Sequence, residues 1–361
     1  MFKYLGSKRV FVPVLADLAR GCGATTAVDL FTGTTRVAQA FKREGLHVTA
    51  TDLATYSHVL AQTYIATDAT KIDPDHLQQT LDHLNQLPGT RGYVTRTFCE
   101  QARFFQPHNG QRIDAIRDAI ETDHPDGPLR PLLLTSLMEA ADRVDSTTGV
   151  QMAYLKKWAA RSYQDLQLRA PALLPGPGRA LHGDATELVH QLPPTELLYL
   201  DPPYNQHRYF TNYHIWETLV RWDQPESYGV ARKRVDAREE HTKSVFNSKP
   251  RMKTAFFDLL QAAKAQVVAV SYNNEAWIEA EEMIHQLKLS GHEDVRLLEF
   301  DHARYVGARI GIYNQLGEKT GSVSHTRNKE WIFVAGPSDR VEAACRAVDE
   351  GVQRREKERA K

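Results

Sequence analysis

At 361 residues the chain can bury a sizeable core, as one large domain or a domain with an insertion. Lys plus Arg and Asp plus Glu each total 45, a formal net charge of +0, so overall charge gives no argument for a nucleic-acid partner, and only a local basic surface could supply phosphate contacts. Cys22, Cys99 and Cys345 are scattered without metal-ligand spacing, so neither a zinc site nor a disulfide framework is indicated and reduced, mostly buried thiols in a cytoplasmic protein are expected. No apolar run approaches the roughly 20 residues of a membrane span and the N-terminus has no secretory segment, so no membrane partner is expected.

In chain order, Met1 to Arg9 is basic and Val10 to Leu18 is an apolar helical stretch. Thr25-Thr26-Ala27-Val28-Asp29-Leu30-Phe31 is rich in β-branched residues and reads as the first strand. Thr32-Gly33-Thr34-Thr35 makes the turn; Arg36 to Glu44 carries Val37, Ala38, Ala40 and Phe41 at helical spacing, and Gly45 closes it. A second strand, His47 to Thr51, ends on Asp52. The order is that of a doubly wound α/β unit. A turn glycine lets backbone approach a ligand, and an acid at the tip of the second strand, about 20 residues on, can bind both ribose hydroxyls. Dinucleotide folds share this layout, so the unit alone specifies an adenosine-type cofactor, with an ordinary strand-end Asp52 as the plain alternative.

From about Asp73 to Leu174 the pattern becomes helical: Asp75 to Leu87, Ile113 to Glu121, Pro131 to Asp145 and Met152 to Leu168. Pro88-Gly89, Pro107-His108-Asn109-Gly110 and Pro125-Asp126-Gly127-Pro128 punctuate these segments, and Pro171 to Gly178 is the return linker. The chain thus divides into 1–72, a helical insertion at 73–174, and 175–361.

Leu197-Leu198-Tyr199-Leu200 is a short apolar strand delivering Asp201-Pro202-Pro203-Tyr204-Asn205 to one point. The prolines end the ladder and stiffen the turn. Asp201 and the carbonyl of Pro202 offer two acceptors for the two N–H bonds of an exocyclic amine, and Tyr204 offers a flat face for a base. That chemistry is transfer onto an amine nitrogen. Beyond it, Gln224 to Lys253 is a basic, polar run read as a loop that is either solvated or closes over DNA, the second being favoured. Gln266 to Tyr272 is a buried strand ending at Asn273-Asn274; Val295 to Tyr305 and Lys329 to Ala335 are further strands. The Gly-rich basic segment Arg304 to Arg327 reads as a hairpin touching DNA, and Asp339 to Arg359 as a final helix.

Asp-Pro-Pro-Tyr at 201–204, with Tyr209 and Asn212-Tyr213-His214-Ile215-Trp216-Glu217-Thr218-Leu219, resembles the signature of the Dam-like (D12 class, alpha-type) DNA adenine-N6 methyltransferase family. Lys3-Tyr4-Leu5-Gly6-Ser7-Lys8, Phe31-Thr32-Gly33-Thr34-Thr35, Leu181-His182-Gly183-Asp184-Ala185 and Ser271-Tyr272-Asn273-Asn274 are similar to further elements of that family, Thr35 replacing its second glycine. The resemblance implies a doubly wound, Rossmann-like S-adenosylmethionine-dependent methyltransferase sheet with a helical insertion. It implies S-adenosyl-L-methionine as cofactor, held by Tyr4, Lys8, Phe31, Gly33, Asp52 and Asp184, and catalysis by Asp201, Pro202, Pro203 and Tyr204 on an adenine flipped from duplex DNA. No metal is implied. The insertion occupies the slot of the target-recognition domain, where Arg91, Arg96, Arg103 and Arg112 are candidates for phosphate contact. A separately encoded restriction endonuclease is a candidate partner. The alternatives are methylation of RNA or another planar amine, and an inactive DNA-binding specificity subunit.

Overall fold

In the computed structural model of the chain, residues 3–4, 6, 8–203, 208–303, 312–313, 319–321 and 327–359 are described. Helix α1 (Val12–Gly21) leads into strand β1 (Thr26–Asp29), helix α2 (Arg36–Arg43), strand β2 (His47–Asp52) and helix α3 (Thr55–Ala61). Three long helices follow: α4 (Pro74–Gln86), α5 (Pro107–Asp123) and α6 (Leu129–Val144). Next come β3 (Arg179–His182), α7 (Ala185–Gln191), β4 (Thr195–Leu200), α8 (Tyr209–Asn212), α9 (His214–Arg221), β5 (Ser227–Tyr228) and β6 (Lys233–Arg234). The chain closes with α10 (Lys249–Ala262), β7 (Ala265–Asn273), α11 (Ala280–Leu289), β8 (Asp294–Ala303), β9 (Ile312–Tyr313), β10 (Lys319–Gly321), β11 (Arg327–Gly336) and α12 (Ser338–Arg359).

The chain forms two compact units, one of Met1–Ala16, Thr25–Leu188 and His207–Ser244, the other of Asp17–Ala24, Val189–Gln206 and Val245–Lys361. In the first, β3, β2 and β1 lie in that order and pair in parallel, Asp29 against Ala50 and Asp52 against His182. In the second, β4 pairs in parallel with β7, which pairs antiparallel with β11, and β11 with β8. Residues 267–273 of β7 are all buried, the continuous apolar run expected of a strand covered on both faces. Parallel strands joined through helices make this the doubly wound, Rossmann-like α/β class read from the sequence.

Three expectations are corrected. Residues 152–168 form no long helix; the only helical turn there is a 3-10 turn at Ala160–Tyr163. Tertiary partners take the backbone instead. Asn109 donates to the carbonyls of Ser162 and Gln164 and accepts from the Leu166 N–H, and Asn85 bonds both the N–H and the carbonyl of Leu168. Pro107 to Gly110 is no break but the first turn of α5, with Pro107 at a position where a missing N–H costs nothing. The run 224–253 is not a plain solvated loop: it folds into β5, β6, 3-10 turns and the start of α10. Its Arg234 is 1% exposed and bonds Asp223 and Asp236. Of the 304–327 segment, β9 and β10 pair antiparallel and Arg327 opens β11; the rest lies outside the described residues.

All three cysteines are buried thiols. Among the described residues, no helix is long and apolar enough to cross a membrane.

Candidate active site

The tips of β2 and β3 form one braced corner in the first unit. Asp52 Oδ2 accepts from the N–H of Gly33 at 2.8 Å and Oδ1 from the N–H of Ala54 at 2.9 Å. The Asp52 carbonyl accepts from the Gly183 N–H at 3.1 Å. Burial pushes the Asp52 carboxyl above its ordinary range, while the Ala54 and Gly33 donors pull it back. Those two N–H bonds orient a half-buried carboxylate with lone pairs left for a diol. Asp184 caps α7, its Oδ1 accepting from the N–H and hydroxyl of Thr186. Its other oxygen makes no hydrogen bond among the described residues.

Gly33 has φ +50°, and a Cβ there would lie 3.3 Å from the Tyr4 ring. The next special position is Thr35, with φ 61° and ψ 13° at the start of α2. A β-branched residue in this region is strained by about 1–3 kcal/mol. The side chain compensates locally: Thr35 Oγ1 donates to the Thr34 carbonyl and accepts from Gln39 Nε2 at 2.8 Å. The residue is fully buried. Thr35 thus keeps the left-handed backbone that a glycine would adopt freely. Phe31 is half-buried just after β1.

The N-terminal strap is tied down at Lys3, whose ammonium reaches Asp145 at 3.0 Å and Asp142 at 3.3 Å and also bonds the Asp142 carbonyl. Tyr4 therefore enters an aromatic column. It stacks on Tyr209 at 5.4 Å and on Tyr213 at 4.6 Å; Tyr213 stacks on Trp216 at 4.8 Å with the planes 1° apart. The Tyr4 hydroxyl lies 3.2 Å from that of Tyr56, whose N–H donates to Glu217. Lys8 is buried in a short 3-10 turn. Behind the column, Gln151 accepts from the Ile215 N–H through its side chain and from His214 Nε2 through its carbonyl, which holds the first turn of α9.

In the second unit, Asp201 follows the buried β4 directly, half-buried, with Pro202 buried and Pro203 half-buried. Parallel pairing sets Leu200 beside Val270, so the turn emerges at the carboxyl end of the β4–β7 pair, the edge where such sheets bind ligands. Tyr199 donates to Ser271 Oγ at 2.8 Å across the two strands. Tyr204 and Asn205 lie outside the described residues.

Residues 4–285 match the family model described as D12 class N6 adenine-specific DNA methyltransferase. The chain belongs to this family. Type II methyltransferase M.NlaIII of Neisseria lactamica is 30% identical over 312 residues, 83% of this chain and 90% of its own length. Modification methylase StsI of Streptococcus sanguinis is 30% identical over 79% of this chain and 46% of its own, and M.FokI of Planomicrobium okeanokoites 28% identical over 77% and 45%, so the chain spans about half of those two.

In this adenine methyltransferase the four arginine candidates do not share one environment. Arg91 forms a two-pronged ion pair with Glu100 at 2.7 Å. Arg112 bonds the carbonyl of Asn85 in the last turn of α4 and that of Leu87 just after it. Arg103 lies over the Trp158 ring at 4.7 Å and donates to the Lys156 carbonyl. Arg96 is exposed, and its guanidinium makes no hydrogen bond among the described residues. The sequence reading missed His182, Tyr56 and Gln151. His182 lies within the family-like element Leu181 to Ala185; Tyr56 and Gln151 carry no local signal.

Proposed function

We propose that the chain transfers a methyl group from S-adenosyl-L-methionine directly to N6 of an adenine flipped out of duplex DNA. The cofactor supplies an electrophilic methyl. The donor set at the β2 and β3 tips fits its adenosine half: Asp52 would hold the ribose hydroxyls, Asp184 the adenine amine, and Gly33 and Phe31 the adjoining backbone and face, with Tyr4 and Lys8 toward the methionine end. Asp201 and the Pro202 carbonyl would accept the two N–H bonds of the target amine, freeing its lone pair, while Pro203 stiffens the turn and Tyr204 stacks on the base.

The observation that carries this reading is an acid followed by two prolines at the carboxyl end of a buried parallel strand, in a chain of this family. Arg96 is the phosphate contact favoured by its exposure, within an insertion, 73–174, that would read the target. A separately encoded endonuclease would be the partner, since the relatives are named as type II methyltransferases and modification methylases.

The test is incubation with radiolabelled S-adenosylmethionine and unmethylated genomic DNA beside an Asp201→Ala control. Labelled N6-methyladenine made only by the wild type is expected. Label in RNA but not in DNA, or cofactor binding without any transfer, would overturn it.

A further inference from the structure

Resting on this cofactor-site reading, we propose that His182 is a positioning residue for the adenosine half of the cofactor, acting through the turn that presents Asp52. In the β2–β3 register His182 stands opposite Asp52. Its Nε2 lies 2.9 Å from the Leu53 carbonyl oxygen. A carbonyl only accepts, so Nε2 carries the proton and donates.

The turn Asp52–Leu53–Ala54 is braced at each residue. The Asp52 carbonyl accepts from the Gly183 N–H, the Leu53 carbonyl from His182, and the Ala54 N–H donates back to Asp52 Oδ1. Two of these three bonds come from the end of β3, immediately before Asp184. His182 therefore sets where the Asp52 carboxylate stands relative to Asp184, and the two acids are those assigned to the ribose and to the adenine.

The imidazole is itself held. It stacks on His58, ring centroids 5.3 Å apart and planes 23° apart, and His58 is anchored in α3 by its N–H to the Ala54 carbonyl. His182 is exposed, as is Leu53 beside it at 36%. An exposed histidine at a sheet edge needs no such second clamp for folding. The arrangement is that of a side chain fixing a ligand-bearing turn, where a displacement of about 1 Å is felt in binding.

The experiment is calorimetric titration of S-adenosylhomocysteine and of adenosine into wild type, His182→Ala, His182→Gln and Asp52→Asn, with steady-state methylation of DNA alongside. His182→Ala is expected to bind both ligands about 5- to 20-fold more weakly, to raise KM for the cofactor by the same factor and to keep kcat within about twofold. His182→Gln, which retains an N–H donor, is expected to recover most of the loss. Binding by His182→Ala within twofold of wild type overturns the proposal, as does His182→Gln no better than His182→Ala, or a fall in kcat at unchanged KM. If Asp52→Asn also binds normally, the cofactor-site reading itself fails; if Asp52→Asn loses binding and His182→Ala does not, only the role of His182 fails.

Discussion

Tyr4, at the N-terminal strap, lies face to face with Tyr213, just before α9, with 4.6 Å between ring centroids and 15° between planes. The stack joins the element read as the methionine-side contact to the helix that follows the Asp-Pro-Pro-Tyr turn in sequence. Lys3 on Asp142 and Asp145 fixes one side of it, and Gln151 on His214 and Ile215 the other.

Removing the ring should therefore disturb both folding and cofactor affinity. Tyr4→Ala is expected to cost about 3 kcal/mol of stability and to raise KM for S-adenosylmethionine about tenfold, whereas Tyr4→Phe, losing only the hydroxyl contact to Tyr56, should cost about 1 kcal/mol. Urea unfolding and cofactor titration check this. Equal behaviour of the two variants would show that the stack carries nothing.

Thr35 makes a second test, because its strain and its hydrogen bonds act in opposite directions. Thr35→Gly relieves the left-handed backbone but drops the bond from Gln39, so stability should stay within about 1 kcal/mol of wild type. Thr35→Val keeps the strain and strands the buried Gln39 amide, and should cost about 2–3 kcal/mol. Valine tolerated better than glycine in thermal unfolding would contradict the assignment.

The arginines should separate by salt dependence. Arg96→Ala is expected to weaken DNA binding similarly on all sequences and to lower the slope of log affinity against log salt by about 0.9, the value of one phosphate contact. Arg112→Ala should leave that slope unchanged and lower stability instead, because its guanidinium serves the carbonyls at the C-terminal end of α4. The reverse pattern in filter-binding and urea titrations would exchange the two roles.

Two buried groups give stability a pH profile with opposing parts. Burial holds the Asp142 carboxyl up at about 6, against the pull of Lys3. Its folded value lies above the unfolded one near 4, so the native state takes up the proton first and this group favours folding as pH falls through that window. Burial holds His214 down at about 3. There the unfolded state takes the proton first, so stability falls as pH drops below about 6.5. The histidine window is the wider, and net loss in acid follows. Asp142→Asn removes only the favourable part, so it should lose ~1 kcal/mol more than wild type between pH 7 and 5. Parallel urea midpoints across that range would refute the assignment.

Much of this was legible locally. The apolar runs around Val28, Val48, Leu198 and Val268 are buried in the strands they predicted, because a strand covered on both faces must be apolar along its length. Gly33 and Asp52, 19 residues apart, are bonded to each other, since a tight turn and a strand tip leave the intervening helix little freedom.

The sequence by itself therefore determined the strand–helix order around the sheet, the end of β4 just before Asp201 and the family, all written in short-range burial patterns and turn chemistry. Only the tertiary structure decided that residues 152–168 stay irregular, for the side chains that claim their backbone, Asn85 and Asn109, come from α4 and α5. It alone placed Tyr4 on Tyr213, His182 on the Leu53 carbonyl, and Thr35 in a left-handed backbone held by Gln39. The pairings of Tyr4 and His182 depend on distant partners, and hydrophobic periodicity records which face of an element is buried without recording which remote polar group or ring will meet it.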